Sequence, residues 1–189
     1  MAVEEPPYQV VQHDGAFEVR DYPALVVAEV TVDGDQKQAA SRGFRLLAGY
    51  IFGGNKTRAK IAMTAPVAQT PAGEKIAMTA PVTQTARGDP GAHQWTVRFT
   101  MPRAYTLDSL PIPDDPRVHL ERMQPDRVAV IRFSGLAGTA DVQAKTRALV
   151  AWAEAHHLRM IGPPSLAQYD PPWTLWFARR NEVMIPVAR

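Results

Sequence analysis

Apolar and polar positions alternate in short runs over the first part of the chain: Tyr8-Gln9-Val10-Val11, Phe17-Glu18-Val19-Arg20 and Leu25-Val26-Val27-Ala28-Glu29-Val30-Thr31-Val32. Each is rich in β-branched or aromatic residues, and His13-Asp14-Gly15 and Pro23 punctuate them, so three strands are predicted. From Gln36 to Phe52 the spacing changes to four, three and four through Ala40, Phe44, Leu47 and Ile51. That period predicts an amphipathic helix, with Asp33 or Asp35 as N-cap and Gly53-Gly54 as its stop.

The next segment contains the octapeptide Lys60-Ile61-Ala62-Met63-Thr64-Ala65-Pro66-Val67, which recurs unchanged 15 residues later as Lys75 to Val82. In each copy Ile, Met, Ala and Val alternate with Lys, Ala, Thr and Pro, the pattern of a strand with one apolar face. Thr70-Pro71-Ala72-Gly73 between them has the proline and glycine of a type I turn, so a hairpin is predicted. In its register Met63 opposes Ala80 and Met78 opposes Ala65, and both methionines share one face. A strongly alternating strand follows from His93 to Met101, with Trp95, Val97, Phe99 and Met101 turned inward.

Beyond a proline-rich crossing from Pro102 to Pro116, the same grammar returns in shorter form. Strands are predicted at Val118 to Met123 and Val128 to Phe133, then a helix from Ala140 to His157 capped by Thr139, then strands at Leu166 to Tyr169 and Glu182 to Val187. The second helix should bury Val142, Leu149, Trp152, Ala153 and, at the same angle, His156. Two β-β-α-β-β halves, about 8–101 and 117–188, pair most economically about a pseudo-twofold axis. The expected fold is α+β: one domain spanning 1–189, with two helices on a curved, barrel-like antiparallel sheet of about eight strands.

Composition narrows the function classes. With 189 residues and 46% apolar content the chain can bury a sizeable core. Lys and Arg number 21 against 19 Asp and Glu, with no basic run longer than Arg179-Arg180, so the charge pattern offers no footprint for nucleic acid. No apolar run reaches 18 residues and the start is acidic and proline-rich, which predicts a soluble cytoplasmic protein without a membrane partner, most simply a monomer. The absence of cysteine removes disulfides, thiolate chemistry, iron–sulfur clusters and covalent haem attachment. The five histidines show no metal-binding spacing.

Five ordered motifs carry a resemblance across nearly the whole chain. They are Glu18-Val19-Arg20-Asp21-Tyr22, Tyr50-Ile51-Phe52-Gly53-Gly54-Asn55, the doubled octapeptide, Phe99-Thr100-Met101-Pro102, and Tyr169-Asp170-Pro171-Pro172 with Arg179-Arg180-Asn181-Glu182-Val183. Together they resemble the SOUL family of haem-binding proteins, whose barrel is related to GyrI-like effector-binding domains. The resemblance implies a non-enzymatic protein that buffers, carries or senses haem or a related tetrapyrrole. The cofactor would be held non-covalently in an apolar groove lined by the first helix and neighbouring strands. One branch of the family has a proposed axial histidine after Glu-x-Arg, where this chain has Asp21. Another has basic side chains on the first helix near the propionates, a role open to Arg42 and Arg45.

Each candidate has a plainer structural reading. Phe44, Leu47, Tyr50 and Ile51 are groove wall or core stripe, and Met63 and Met78 are pocket lining or core filling. Trp173 belongs to an aromatic rim with Tyr169 and Pro172, or to an ordered turn. His156 could meet iron, or be a hydrogen-bonded boundary residue. Glu182, among Val183, Met184 and Ile185, would have its pKa raised by apolar surroundings. It could then serve a small-molecule hydrolase or an effector-binding cavity, the alternative to tetrapyrrole binding, or form a salt bridge to Arg179 or Arg180 that closes the barrel. A purely structural or protein-binding module is the third reading.

Overall fold

A computed structural model describes residues 3–57, 73–88, 93–171 and 173–189. In chain order the strands are β1 (Gln9–Asp14), β2 (Phe17–Tyr22) and β3 (Leu25–Asp33), followed by helix α1 (Gln36–Ile51). Then come β4 (Asn55–Lys56), β5 (Val82–Arg87), β6 (Gln94–Thr100), β7 (Ile112–Pro113), β8 (His119–Met123) and β9 (Asp126–Ser134). Helix α2 (Thr139–Ala155), β10 (Ser165–Gln168), a 3-10 turn at Trp176–Ala178 and β11 (Arg180–Pro186) complete the fold. This is the expected α+β fold, a curved half-barrel sheet with two helices.

Among the described residues the main sheet has nine strands, in the order β1-β2-β9-β11-β10-β5-β6-β3-β8, every neighbour antiparallel; β4 and β7 form a separate pair. Leaving β1 aside, the order reads symmetrically about the β5–β10 pair. The halves also exchange their first strands: β2 pairs with β9 of the second half, and β8 pairs with β3 of the first.

Each helix covers the same face of the sheet over its own apolar cluster. Under α1 lie Ala28, Val30, Val97 and Phe99 with Leu47, Tyr50 and Ile51. Under α2 lie Val19, Ala129, Ile131, Val183 and Ile185 with Leu149 and Trp152. Full burial of a side chain such as Leu47 stabilises by roughly 1.5–3 kcal/mol. The exchanged β2 is held beneath α2 by the stacked rings of Phe17 and Trp152, 5.1 Å apart, and the Trp152 indole N–H donates to Asp14 Oδ2 at 2.8 Å.

Helix α1 is capped by Asp35, whose carboxylate accepts from Gln38 N at 2.8 Å. Its buried stripe runs through Ala39, Gly43, Leu47, Tyr50 and Ile51, one position round from the expected Ala40 and Phe44. Gly43 is the reason. Lacking a side chain, it lets the helix approach β6 so closely that an added Cβ would stand 2.5 Å from Val97 Cγ2.

Three further expectations change. Lys75 to Pro81 is not a strand, and the second octapeptide joins the sheet only at Val82. Instead Ile76 N donates to Ile51 O at 2.8 Å, and Asn55 clamps Glu74 by hydrogen bonds in both directions, so the segment is tied to the end of α1. The first copy, with Met63, and the turn as far as Ala72 lie outside the described residues. Helix α2 begins after Gly138, without a side-chain cap, and Thr139 is its first residue. His156, expected on the buried stripe, is the exposed C-cap instead, because the helix ends at Ala155.

Substituting Gly43→Ala should lower stability by about 1–2 kcal/mol in urea unfolding, despite the better helix propensity of alanine. Val97 is a stiff β-branched neighbour that cannot swing aside, so Val97→Ala in the same chain should recover part of the loss.

Candidate functional site

The face of the sheet without helices holds a cleft of about 510 Å³. Strand alternation sends one set of residues to the helices and the other into this cleft. Thus Ala28 and Val30 of β3 are core, whereas Val27 and Glu29 line the cleft; Val183 and Ile185 of β11 are core, whereas Met184 and Pro186 line it. Leu25, Met123 and Val128 add apolar wall, and Thr83, Thr85, Thr96, Thr100 and Ser165 line it with hydroxyls. Charged groups come from Arg87, Arg98, Glu29, Glu121 and Asp126. Arg98 Nε donates to Glu29 at 2.6 Å and Arg87 to the Thr31 hydroxyl at 3.0 Å. Burial pushes the Asp126 carboxyl up, against a hydrogen bond from the Arg127 backbone and the charge of Arg189.

Next to this cleft, joined to it through Tyr22 and Met184, lies an ionic cluster whose centre is fully buried. Glu182 has 0% exposure and Arg20 has 1%. Arg20 reaches across β9 and grips Glu182 with both terminal nitrogens, Nη1 to Oε2 at 2.8 Å and Nη2 to Oε1 at 3.0 Å. The Tyr169 hydroxyl donates to Oε2 at 2.6 Å, and Arg180 donates twice to Oε1, at 2.9 and 3.1 Å. Arg20 also donates to Glu18 at 2.6 Å and to the Tyr22 hydroxyl at 3.3 Å, while Arg180 reaches Glu5 at 3.0 Å. Both guanidiniums lie over tyrosine rings: Arg20 is 4.3 Å from the centroid of Tyr8, Arg180 is 3.8 Å from that of Tyr169.

The electrostatics reverse the expectation for Glu182. Burial opposes its ionisation, but hydrogen bonds from Arg20 and Tyr169 and the charges of Arg20 and Arg180 outweigh burial and hold the carboxyl below its usual range. Burial pushes the Tyr22 phenol up to about 12 against the favourable charge of Arg20, and burial with the charge of Glu182 drives Tyr169 far higher. Glu182 is thus paired with Arg180 of its own strand, as one expectation had it, and also with Arg20 of β2, though these contacts lie within the sheet and close no barrel.

The residues singled out in the sequence are dispersed. Leu47, Tyr50 and Ile51 are core at 0–2% exposure, facing the sheet, and the Tyr50 hydroxyl donates to Pro111 O at 2.9 Å. Phe44 is 39% exposed, with its ring edge on Phe99, and Arg42 and Arg45 lie on the outer face of α1. Met78 is 37% exposed on the segment tied to the end of that helix. Trp173 is 83% exposed, in a turn with exposed Leu175, Trp176 and Phe177. His156 sets its ring Nδ1 2.8 Å from Trp152 O, and among the described residues no group of three or more His, Asp or Glu side chains gathers to hold a metal. Asp21, which follows Glu-x-Arg where the resemblance gave one branch a histidine, pairs with Arg127 through two contacts of 2.7 Å.

Sequence reading missed the cleft. Its signal was nevertheless present: Leu25-Val26-Val27-Ala28 is a continuous apolar run, and a strand with two apolar faces has something to cover on both.

A half-barrel sheet backed by two helices, with a cleft on its free face, is a fold consistent with small-molecule binding. The family model described as SOUL heme-binding protein matches residues 3–73 and 68–186, and the chain belongs to that family. No curated protein sequence matches it. Solved structures share the fold at low identity. The C-terminal domain of EcmrR superposes with a TM-score of 0.63 at 11% identity, covering 96% of this chain and 98% of that one. A structure described as a hydrolase from Listeria innocua gives 0.55 at 14%, covering 100% and 94%. SAV2435 bound to tetraphenylphosphonium gives 0.50 at 11%, covering 91% and 93%. Among the described residues no helix is long and apolar enough to cross a membrane.

Replacing Arg20 by alanine leaves Glu182 buried with three of its five hydrogen bonds and should cost about 3–5 kcal/mol in chemical unfolding. The pH dependence follows from the lowered carboxyl. Its contribution is complete above the carboxylate range of the unfolded chain and is lost as pH falls towards the folded pKa. The urea midpoint of the wild type should therefore drop below about pH 4.3, and more steeply than that of Glu182→Gln.

Proposed function

We propose that this protein binds haem or a related tetrapyrrole non-covalently in the open cleft, as a carrier, buffer or sensor acting without catalysis in the cytoplasm. Membership of a family described as heme-binding supports the ligand class. The observation that carries the location is the cleft itself: about 510 Å³, within the usual range for organic ligands, with Leu25, Val27, Met123, Val128 and Met184 as apolar wall. A porphyrin is a flat apolar ring with carboxylates at one edge. Arg87 and Arg98 supply cations for such an edge, and Met123 and Met184 supply polarizable thioethers for the ring or, more weakly, the iron.

A second location for the same ligand is the outer face of α1. Phe44 is 39% exposed on this helix, which also carries Arg42 and Arg45, while Phe52 at its C-cap and Met78 on the segment tied to its end are 59% and 37% exposed. In this arrangement Leu47, Tyr50 and Ile51 support the surface from within.

The hydrolase reading draws on the Listeria innocua structure. Against it stands Glu182, whose two oxygens accept five hydrogen bonds from Arg20, Arg180 and Tyr169 and keep no lone pair turned towards the cleft for a general base.

Haem titration followed at the Soret band should saturate at micromolar concentration. Val27→Trp and Thr83→Trp, which fill the cleft, should weaken binding by about tenfold or more, a loss of at least ~1.4 kcal/mol. Phe44→Ala and Arg45→Ala should leave it unchanged; the reverse pattern would move the site to α1. No saturable spectral change in the wild type would sink the proposal.

A further inference from the structure

The cleft keeps its polar and apolar linings apart. Its floor is the middle of the sheet, strands β10, β5 and β6, which contribute Ser165, Thr83, Thr85, Thr96 and Thr100. Its walls are the flanking strands: Val128 of β9 and Met184 of β11 on one side, Leu25 and Val27 of β3 and Met123 of β8 on the other. The segregation follows from register. Ser165 stands opposite Thr85 and Thr85 opposite Thr96. Three hydroxyl side chains therefore form one row across three strands, about 10 Å long at the usual strand spacing. Thr83, two residues along β5, starts the next row beside Arg98.

No described residue hydrogen-bonds to the hydroxyl of Thr83, Thr85 or Thr96, and none of the three is sealed off from the cleft. Thr96 is nonetheless only 5% exposed. Ser165 donates to Met184 O at 3.4 Å and keeps its acceptor lone pairs. The floor also carries no net charge, because Arg98 within it is matched by Glu29 at 2.6 Å. Glu121 and Asp126 belong to the wall strands, and Arg87 is exposed at the end of β5. Such a floor suits groups that both give and take hydrogen bonds, since a hydroxyl does both. It has little to offer a full charge.

A flat ligand between the walls must set one edge on this floor, and displacing water from the hydroxyls is costly unless that edge returns their hydrogen bonds. A closed porphyrin has two choices. Its hydrocarbon edge returns none, and its carboxylate edge puts two anions on an uncharged surface. An open-chain tetrapyrrole, opened opposite its carboxylates and coiled into a ring-like shape, brings its two terminal lactams to one edge and its carboxylates to the other. The lactam N–H groups donate, the C=O groups accept, and the carboxylates stay in the water of the open mouth. We infer that the cleft is built for an open-chain tetrapyrrole, held with its lactam edge on Ser165, Thr83, Thr85 and Thr96 and its faces against the two walls. This rests on the cleft being the tetrapyrrole site, and adds which kind of tetrapyrrole and which way round.

The test compares biliverdin, such an open chain, with metal-free protoporphyrin IX, which carries the same two carboxylates on a closed ring. Both are titrated by absorbance against the full chain, as wild type and as Thr83→Val, Thr85→Val, Thr96→Val and Thr85→Val/Thr96→Val. Valine keeps the branched shape and strand preference of threonine and removes only the hydroxyl. The wild type should bind biliverdin about tenfold or more tightly than protoporphyrin. Each single variant should lose about threefold for biliverdin and the double variant about tenfold, with protoporphyrin unchanged or improved. Coupling of glycinamide to the carboxylates of bound biliverdin by a water-soluble carbodiimide should run close to its rate in buffer. Equal or tighter binding of protoporphyrin by the wild type would overturn the inference. So would hydroxyl removal that weakens both ligands alike or neither, or carboxylates shielded from coupling. The two wild-type measurements decide the matter even if a variant fails to fold. Binding of neither ligand would overturn it together with the cleft as a tetrapyrrole site, whereas protoporphyrin bound in the cleft without regard to the threonines would overturn it alone.

Discussion

The contact between Arg20 and Glu182 joins the two ends of the chain, 162 residues apart, inside the protein. Its consequences reach in two directions. It holds β2 of the first half and β11 of the second to opposite edges of β9, and so supports the strand exchange on which the half-barrel depends. It also satisfies, in the interior, a carboxylate that would otherwise be too costly to bury. Neither partner could be there alone. A buried guanidinium or a buried carboxylate without the other would relax the sheet or lose its charge.

The rest of the architecture separates core from cleft by strand alternation. Residues facing the helices make two dense apolar clusters, one under each helix, while the other face of the same strands forms the cleft. Val27 and Ala28, or Met184 and Ile185, are neighbours in sequence yet belong to different environments. Both walls and floor of the cleft thus rest on strands braced from behind, which holds the cleft in shape.

Much of the element order was legible in the chain. The helix from Gln36 and the strands around it follow from local periodicity, because period and end signals act over a few residues. What failed did so for non-local reasons. Gly43 carries no hydrophobic signal, yet it sets the angle of α1 through a contact with Val97 on another element. The second octapeptide alternates like a strand, but Ile76 N donates to Ile51 O at the end of α1, Ala80 N donates to Glu4 O, and Asn55 holds the preceding Glu74. The candidate residues on α1 were recognisable as a stripe; whether a stripe is groove or core depends on what packs over it, and Leu47, Tyr50 and Ile51 are covered by the sheet.

From the sequence alone came the class of fold, the two-half grammar, the family motifs and the exclusion of cysteine chemistry. Glu182 was visible as an acid in an apolar strand, and Arg20 as part of a motif. Only the tertiary structure decided that they meet, that Glu182 is held ionised rather than neutral, and that the free face of the sheet is a cleft. The physical reason is that hydrophobic period and turn chemistry are encoded by near neighbours. Charge state and cavity shape depend on groups brought together from distant strands, and no local pattern carries that information.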